Sequence, residues 1–515
     1  PPRSTLFPYT TLFRSTVKIL GLIFALISIF YIFYSSCSYR GLYLDGSVFL
    51  MNMLDKISLG ESGFFYDMNH PRIMITALVE APVIIAAKLF DIQSKYTYSL
   101  IYSFSSFAFS FLALWWNFEL TKRTKQYGIF FWSLFAYTVI LLPFHIFIMV
   151  ETIIGVPLQF ILLNYLFGKI HYTKLDKLGI AFIILMMFGI YEHTILIGAI
   201  VAFGMFFALS HDDRPSDLLT KVFIGAGSIA ATFYTVFFTV FNKSEHEDGL
   251  RFLKEMVDFY PISSHLNLVL SYLTIGLLLL ILFKKKKLQA KISILFCTIY
   301  LYVFVKMVSR LDLFLSPMWE AHARSIACWA VPLIFFGIVL FKVYKKEVSA
   351  NLISNATIPV LLCGIAMTAW QIIHTYYWNE NIAFMRNELA KCSDVLYIPT
   401  DHEEEISSFF NKDLRRYIWF GNFASTSVML TDGHKVKTLL VNPDVQVDEG
   451  NITYRENLWA YPEKNVFCMP YNTQLSMANK FWDLTDAAIA LNKHNEKYDI
   501  KISMPENPDD IANRL

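Results

Sequence analysis

The sequence predicts an all-α polytopic membrane protein that carries a C-terminal extracytoplasmic α/β domain. Hydrophobic residues make up 55% of the 515 residues and charged residues only 17%. Apolar windows long enough to cross a bilayer recur through residues 16–374, and residues 375–515 contain none. A chain of this size and apolarity is atypical of soluble proteins. The net charge of +2 gives no indication of a nucleic-acid partner.

Residues 1–15 are set aside from this prediction. The stretch TLFPYTTLFRS, residues 5–15, reads as the translation of a sequencing-library adapter and lacks the layout of a signal peptide. We therefore expect the natural sequence to open with a membrane helix that is not cleaved.

A helix of about 20 apolar residues crosses the hydrocarbon core of a bilayer. Residues 178–210 are too long for one span and carry Tyr191-Glu192-His193 in their middle, so they are expected to cross twice. Residues 73–90 are long enough to cross, but Glu80 and Pro82 interrupt them. The remaining qualifying windows are 17–35, 97–117, 128–150, 152–168, 220–241, 266–283, 292–308, 326–344 and 353–374.

The basic loops decide the topology, because Lys and Arg collect on the cytoplasmic side of membrane proteins. All of them fall on one face only if 178–210 crosses twice and 73–90 does not cross. A cytoplasmic N-terminus then gives about eleven spans, a first external loop at 36–96 and an external C-terminus. The basic loops are 121–125, 168–177, 211–221, 284–287 and 342–346.

Residues 375–515 have the pattern of a soluble α/β module. Residues 436–444 and 464–470 resemble strands closed by turn residues, and 479–498 has helical apolar spacing. Cys392 and Cys468 are candidates for a disulfide in an oxidising compartment. The six cysteines include no C-x-x-C pair, so neither a zinc site nor a thioredoxin-like site is indicated.

The first external loop holds the candidate chemistry. Asp45, Asn52 and Lys56 fall on one stripe of a predicted helix that is otherwise apolar, which favours a helix lying in the membrane interface. Asp45 stands at the start of this helix, where its carboxylate can cap the backbone N–H groups. A carboxylate in that position can also face a reacting group.

This segment resembles the GT-C glycosyltransferases, in the branch that contains the protein O-mannosyltransferases and the lipid A aminoarabinose transferases. The matching residues are Asp45, Gly60, Phe64-Phe65 and His70-Pro71. Relatives usually have an acidic residue where this chain has Gly46, and a second proline where it has Arg72. The likeness in architecture covers most of residues 16–374.

The resemblance implies an enzyme that moves a hexose or pentose, with inversion, from a polyprenyl-phosphate carrier to an acceptor outside the cytoplasm. The acceptor would be a glycolipid, an envelope polysaccharide or a protein. The chain would lie among the lipids of a bacterial cytoplasmic membrane, with residues 375–515 in the periplasm. One carboxylate must take the acceptor proton, and fixed donors must meet the charge that grows on the leaving phosphate.

By the same resemblance, Asp45 is the general base and Glu151 contacts the acceptor or a divalent metal. Arg324 is the first choice for the donor phosphate, because a guanidinium binds phosphate at two points. Further candidates for the phosphate are His193, His70 and Arg72, and supporting roles fall to Glu192, Glu320 and His322.

Structural roles compete with these assignments. Arg324 also fits an interfacial anchor that snorkels. Glu192 and His193 also fit a structural pair, although ionisable groups between apolar runs are costly and tend to be functional. Asp45 and Glu151 hold a hard cation only with further ligands or water, so no cofactor is certain and metal dependence is left open.

Two other classes of protein remain as alternatives. A transporter or flippase of lipid-linked saccharides should place ionisable or helix-breaking residues near the middle of the membrane. In this sequence the polar residues gather at one face. An O-antigen polymerase or ligase has its large loop late in the chain, whereas the candidate chemistry here lies in the first loop.

Overall fold

The computed structural model divides into two compact units. Unit 1 comprises Pro1–Phe33, Met68–Leu78 and Phe107–Ile372, and unit 2 comprises Tyr34–Asp67, Val79–Ser106 and Ile373–Leu515. The structure describes residues 7–43, 46–64, 72–90, 92, 94–142, 145, 150–190, 193–210, 215–240, 318–343, 350–391, 395–399, 423–431, 433–435, 438–442, 445–448, 451–454 and 478–483.

The described residues are mainly helical. The α-helices are α1 Phe7–Cys37, α2 Gly46–Ser58, α3 Ile73–Phe90, α4 Lys95–Thr124, α5 Tyr127–Phe135, α6 Val150–Phe167, α7 Lys174–Met187, α8 Thr194–Ser210, α9 Pro215–Val240, α10 Met318–Val343, α11 Ala350–Lys391 and α12 Phe423–Leu430. A 3₁₀ turn covers Arg40–Leu42, and a π-helical turn, Ala136–Leu141, follows α5. The strands are β1 Val395–Pro399, β2 Thr438–Asn442, β3 Val445–Asp448 and β4 Asn451–Tyr454.

Five of the described helices are long and apolar enough to cross a membrane, in agreement with the predicted helical membrane protein. They are Ser15–Cys37, Ile73–Phe90, Lys95–Thr124, Leu218–Phe238 and Ala356–Asn387. Helix α1 exposes an apolar stripe that recurs every three or four residues, with Leu22 60% and Phe30 56% exposed. Such a stripe suits contact with lipid tails and would be unfavourable in water.

Two ambiguous segments of the sequence have clear secondary structure. Residues 178–210 divide into α7 and α8, with turn residues at 188–190, as the expectation of two spans requires. Residues 73–90 form one continuous helix that includes both Glu80 and Pro82. The total of about eleven spans, and the prediction that 73–90 does not cross, stay predictions.

Helix α6 is the centre of unit 1. Its residues from Thr152 to Leu166 are all buried, as expected for a helix that is apolar all round. The Phe160 ring lies 4.3 Å from the ring of Phe335 in α10, measured between centroids. The position of α6 matters because Glu151 lies in its first turn.

Helix α2 is part of the core of unit 2. Leu50, Met51 and Leu54 have no exposed surface, and Asn52 and Asp55 are each only 3% exposed. The location of α2 in the membrane interface stays a prediction, and Asn52 of the predicted polar stripe is buried within unit 2. Residues from the C-terminal part of the chain contact this helix at Ser47, Asp55 and Ser58, as described below.

The C-terminal part includes two small pairs of strands. Strand β1 pairs in parallel with β2, and β3 pairs antiparallel with β4. Strand β2 lies inside the segment 436–444 that was predicted as a strand. The predicted strand 464–470 and the proposed pairing of Cys392 with Cys468 lie outside the described residues, and the α/β domain as a whole stays a prediction.

The predicted helix at 479–498 is wrong at its start. Residues 479–483 form bends and isolated bridges instead. The side-chain oxygen of Asn479 accepts the backbone N–H groups of Phe481 and Trp482, at 2.8 and 3.1 Å. An Asn that bonds its own backbone in this way favours a turn over a helix.

Candidate functional site

The segment predicted as the first external loop contains the predicted helix α2. Helix α2 begins at Gly46, directly after Asp45, so Asp45 occupies the N-cap position in the sequence. Asp45 itself lies outside the described residues. The catalytic assignment of Asp45 therefore stays a prediction.

Two glycines bring the chain close to itself on either side of Leu44 and Asp45. A Cβ at Gly46 would overlap the carbonyl oxygen of Gly41, and a Cβ at Gly41 would lie 2.7 Å from the Cα of Ser103. The Gly41 N–H donates to Oγ of Ser103 at 3.0 Å, which ties this tight loop to α4. A side chain at position 46 has no room here, which accounts for Gly46.

A buried arginine anchors the same loop to α11. Arg40 is 2% exposed, and its Nη1 donates to Oγ1 of Thr375 at 2.6 Å. The Thr375 hydroxyl also bonds that of Ser35, at 3.0 Å. Nearby, Nε1 of Trp378 donates to the carbonyl oxygen of Ser38 at 2.9 Å. The chain between α1 and Tyr43 is therefore fixed by several buried polar contacts.

In unit 1, the start of α3 is bonded to the turn between α7 and α8. The N–H groups of Met74 and Ile75 both lie 3.1 Å from the carbonyl oxygen of Gly189. Arg72, directly before α3, is 7% exposed. The segment that follows the His70-Pro71 pair is therefore joined to the turn that leads to His193.

Helix α6 packs against the same turn. A Cβ at Gly155 would overlap Cγ2 of Ile190, so glycine allows the close approach. Four residues further on, Oε1 of Gln159 lies 3.0 Å from Nε2 of His193. The amide nitrogen of Gln159 donates to Oγ1 of Thr194 at 3.1 Å, which orients the amide. Nε2 of His193 is therefore the proton donor in its bond to Gln159.

Glu151 belongs to the same side of α6. Glu151, Gly155 and Gln159 follow one another at spacings of four residues, which places them on one helix face. Glu151 is half-buried, so part of its side chain is accessible to a ligand. A carboxylate in the first turn is also favoured by the helix dipole.

Three sequence-predicted residues thus lie on segments that unit 1 brings together: Arg72, Glu151 and His193. His193 has no exposed surface, so binding a phosphate would require its surroundings to open. His70 and Glu192 lie outside the described residues. Glu320, His322 and Arg324 lie in α10, and the structure describes only their backbone.

Sequence reasoning missed three residues that the structure singles out. Gln159 links His193 to α6, and Arg40 anchors the loop before Asp45. Glu80 is 1% exposed in the middle of α3. The available signal was the same for each: a polar residue within or directly beside an apolar run, where such groups are costly.

No group of three His, Cys, Asp or Glu side chains comes together within the described ranges. That part of the chain includes Glu151 but not Asp45 or Glu192. The arrangement in unit 1 supplies a cation at Arg72, an accessible carboxylate at Glu151 and a hydrogen-bonded imidazole at His193. Groups of these types can bind an anion and a hydroxyl without a metal.

Comparisons with known proteins add no relative. A scan against family models, a search of curated proteins and a search of solved structures each find no match for this chain.

Proposed function

We propose that this chain is a membrane glycosyltransferase that moves a sugar from a polyprenyl-phosphate carrier to an acceptor outside the cytoplasm. The observation that carries the proposal is the meeting, in unit 1, of the three segments that hold Arg72, Glu151 and His193. The resemblance assigns these same residues to donor and acceptor binding. In unit 2, α2 begins at Gly46, so the predicted base Asp45 holds the N-cap position in the sequence.

The proposed reaction assigns separate roles to Asp45, to the two arginines and to Glu151. Asp45 takes the proton of the acceptor hydroxyl as that oxygen attacks the anomeric carbon, and the bond to the carrier phosphate breaks. Arg72 and Arg324 meet the charge that develops on the phosphate, since guanidinium groups bind phosphate at two points. Glu151 orients the acceptor through hydrogen bonds to its hydroxyl groups. Residues 375–515 face the acceptor on the periplasmic side.

One buried polar cluster of unit 1 lies near helix ends, whereas Glu80 and Gln159 lie near the middle of α3 and α6. In unit 1, Asn164 bonds Asn117, Thr121 and Thr124, and all four lie within about two turns of the ends of α4 and α6. A transporter is expected to concentrate such groups near the middle of the membrane.

The experiment compares envelope glycans, glycolipids and glycoproteins by mass spectrometry in a deletion strain and in strains restored with variants. Wild type should restore a hexose or pentose increment, and Asp45→Asn should reduce transfer at least about a hundredfold, because Asn caps a helix but accepts no proton. Glu61→Gln, an exposed acid of the same loop, is the control for loss of charge. A fully active Asp45→Asn variant would end the assignment of the base. No difference between wild type and deletion would overturn the transferase.

A further inference from the structure

Two stretches of the C-terminal part contact α2 within unit 2. The first is α12, near the start of α2. Oγ of Ser47 lies 2.8 Å from Oγ of Ser425, and the hydroxyl of Thr426 donates to Oγ of Ser47 at 3.1 Å. These hydroxyl groups are at most 3% exposed. A buried hydroxyl cluster therefore lies two residues after Asp45.

The second stretch, residues 478–483, contacts the other end of α2. Nδ2 of Asn479 donates to Oδ1 of Asp55 at 2.7 Å, and the N–H of Lys480 donates to Oγ of Ser58 at 3.0 Å. The Asn479 amide is oriented by its own turn, because its oxygen already accepts two backbone N–H groups. Its nitrogen is therefore directed to Asp55.

The beginning of α4 holds both stretches from another side. Nζ of Lys95 donates to the carbonyl oxygen of Val428 at 3.1 Å, and the Tyr96 hydroxyl donates to that of Leu430 at 2.6 Å. These are among the last carbonyl groups of α12, where a cation and a donor are favoured. The Tyr98 ring meets the Phe481 ring edge to face, with centroids 5.7 Å apart.

We infer that α12 and residues 478–483 form a positioning clamp for α2, so that the C-terminal part sets the geometry of the predicted base. The inference rests on the proposed function for the role of Asp45. The clamp grips α2 at Ser47, Asp55 and Ser58, a span of about 17 Å along the helix. Catalytic groups need to be held to within about 0.5 Å, and a helix gripped at both ends meets that need better than a free loop.

The test uses the full chain in detergent micelles, with hydrogen exchange of residues 46–58 read by mass spectrometry and sugar transfer read in parallel. Asp55→Leu removes the acceptor for Asn479 and should speed exchange across α2 at least about tenfold. Asp55→Asn keeps an acceptor oxygen and should restore most of the protection. Ser47→Ala removes one hydroxyl without adding bulk, and provides a second test if Asp55→Leu does not fold. Glu61→Gln should leave exchange and transfer unchanged.

In transfer, the clamp predicts a fall in kcat for Asp55→Leu and Ser47→Ala, with the donor KM retained and with rescue by Asp55→Asn. Wild-type exchange of α2 in both Asp55→Leu and Ser47→Ala would overturn the clamp. Faster exchange with unchanged kcat would overturn the positioning role and leave the proposed function standing. A wild-type chain without transfer would overturn the proposed function and, with it, the catalytic part of this inference.

Discussion

The two units differ in how far apart in the sequence their bonded polar residues lie. In unit 1, Asn164 and Asn117 are 47 residues apart, and Arg123 and Asp176 are 53 apart. In unit 2, Arg40 and Thr375 are 335 residues apart, and Asp55 and Asn479 are 424 apart. Unit 1 joins several helices that are near neighbours along the chain, and its longer bonds include one across 216 residues, from Lys342 to Gln126. Unit 2 joins the segments after the first span to the C-terminal part.

This difference implies different sensitivity to mutation. Contacts between distant segments must offset a larger loop-closure entropy, and each also fixes the geometry of segments that have few local alternatives. We therefore expect single changes in the loop before α2 to affect stability more than single polar changes in unit 1. The following predictions test this comparison, from the largest expected effect to the smallest.

Gly46→Ala should have the largest effect. The new Cβ would overlap the Gly41 carbonyl oxygen, which is backbone and moves only with the loop around Asp45. We expect a loss of about 3 kcal/mol in unfolding free energy, measured by thermal unfolding in detergent micelles. Gly21→Ala is the control, because a Cβ there meets nothing within 4 Å and improves helix propensity. Equal stability of the two variants would contradict the tight approach of Gly41 and Gly46.

Gly155→Ala tests the packing of α6 on the turn before α8. Its Cβ would overlap Cγ2 of Ile190, a side chain that can yield in part, so we expect a loss of about 2 kcal/mol. Transfer should also fall, because the segments of Glu151 and His193 move apart. Gly128→Ala is the matched control in a neighbouring helix, since its Cβ would meet only Ile353 Cδ1, at 3.7 Å. Full activity of Gly155→Ala would show that sugar transfer does not depend on the packing of α6 against this turn.

Arg40→Leu removes the donor to Thr375 from a buried position. Hydrogen bonds to charged groups contribute about 1.5–3 kcal/mol, and we expect a loss near the lower end because leucine replaces some of the packing. Hydrogen exchange should rise in residues 35–43 and 373–379 together. Arg386→Leu is the comparison, because that exposed guanidinium lies over the Tyr39 and Tyr96 rings, at 5.6 and 5.4 Å from their centroids. Such exposed contacts contribute about 0.5–1 kcal/mol.

Asp176→Asn should cost about 1 kcal/mol at neutral pH. Asp176 accepts two bonds from Arg123, each 2.8 Å long, and caps α7 together with Thr173. Burial alone would raise the pKa of Asp176, but the bonds from Arg123, Thr173 and Tyr165 outweigh it and hold the pKa well below its ordinary value.

The sign of the pH effect follows from that lowered pKa. Stabilisation by the Asp176 carboxylate is present above its ordinary pKa of about 3.9 and is lost as the pH falls further. The difference in melting temperature between wild type and Asp176→Asn should therefore shrink below about pH 4. Glu119→Gln breaks the exposed pair with Lys122 and should cost under about 0.5 kcal/mol at any pH. If the difference in melting temperature between wild type and Asp176→Asn does not change with pH, then the helix cap, and not the charge of Asp176, provides the stabilisation.

Much of unit 1 could be predicted from the sequence. The break between α7 and α8 and the start of α6 near Glu151 both agree with the sequence interpretation. Each depends on hydropathy over a short window or on a local capping position. The link from Gln159 to His193 could not be predicted in the same way, because nothing in either helix specifies its partner.

Unit 2 was the less predictable half. Asp55 lies outside the predicted stripe of Asp45, Asn52 and Lys56, yet it is buried and bonded to Asn479. The helix predicted from residue 479 gave way to a turn, because the Asn479 side chain satisfies backbone groups that a helix would leave free. The spacing of apolar residues does not indicate when a side chain such as that of Asn479 will bond the backbone and form a turn in place of a helix.

The sequence alone shows that this chain is built from apolar helices, where several of the described helices begin or end, and which residues are chemically suited to a site. Those properties follow from composition and spacing along a single segment. Only the tertiary structure decided that Arg72, Glu151 and His193 lie on segments that meet, that Gly46 must be glycine, and that C-terminal residues contact α2. Those properties depend on close approaches between segments distant in sequence, and such approaches are set by packing and by the pairing of buried polar groups.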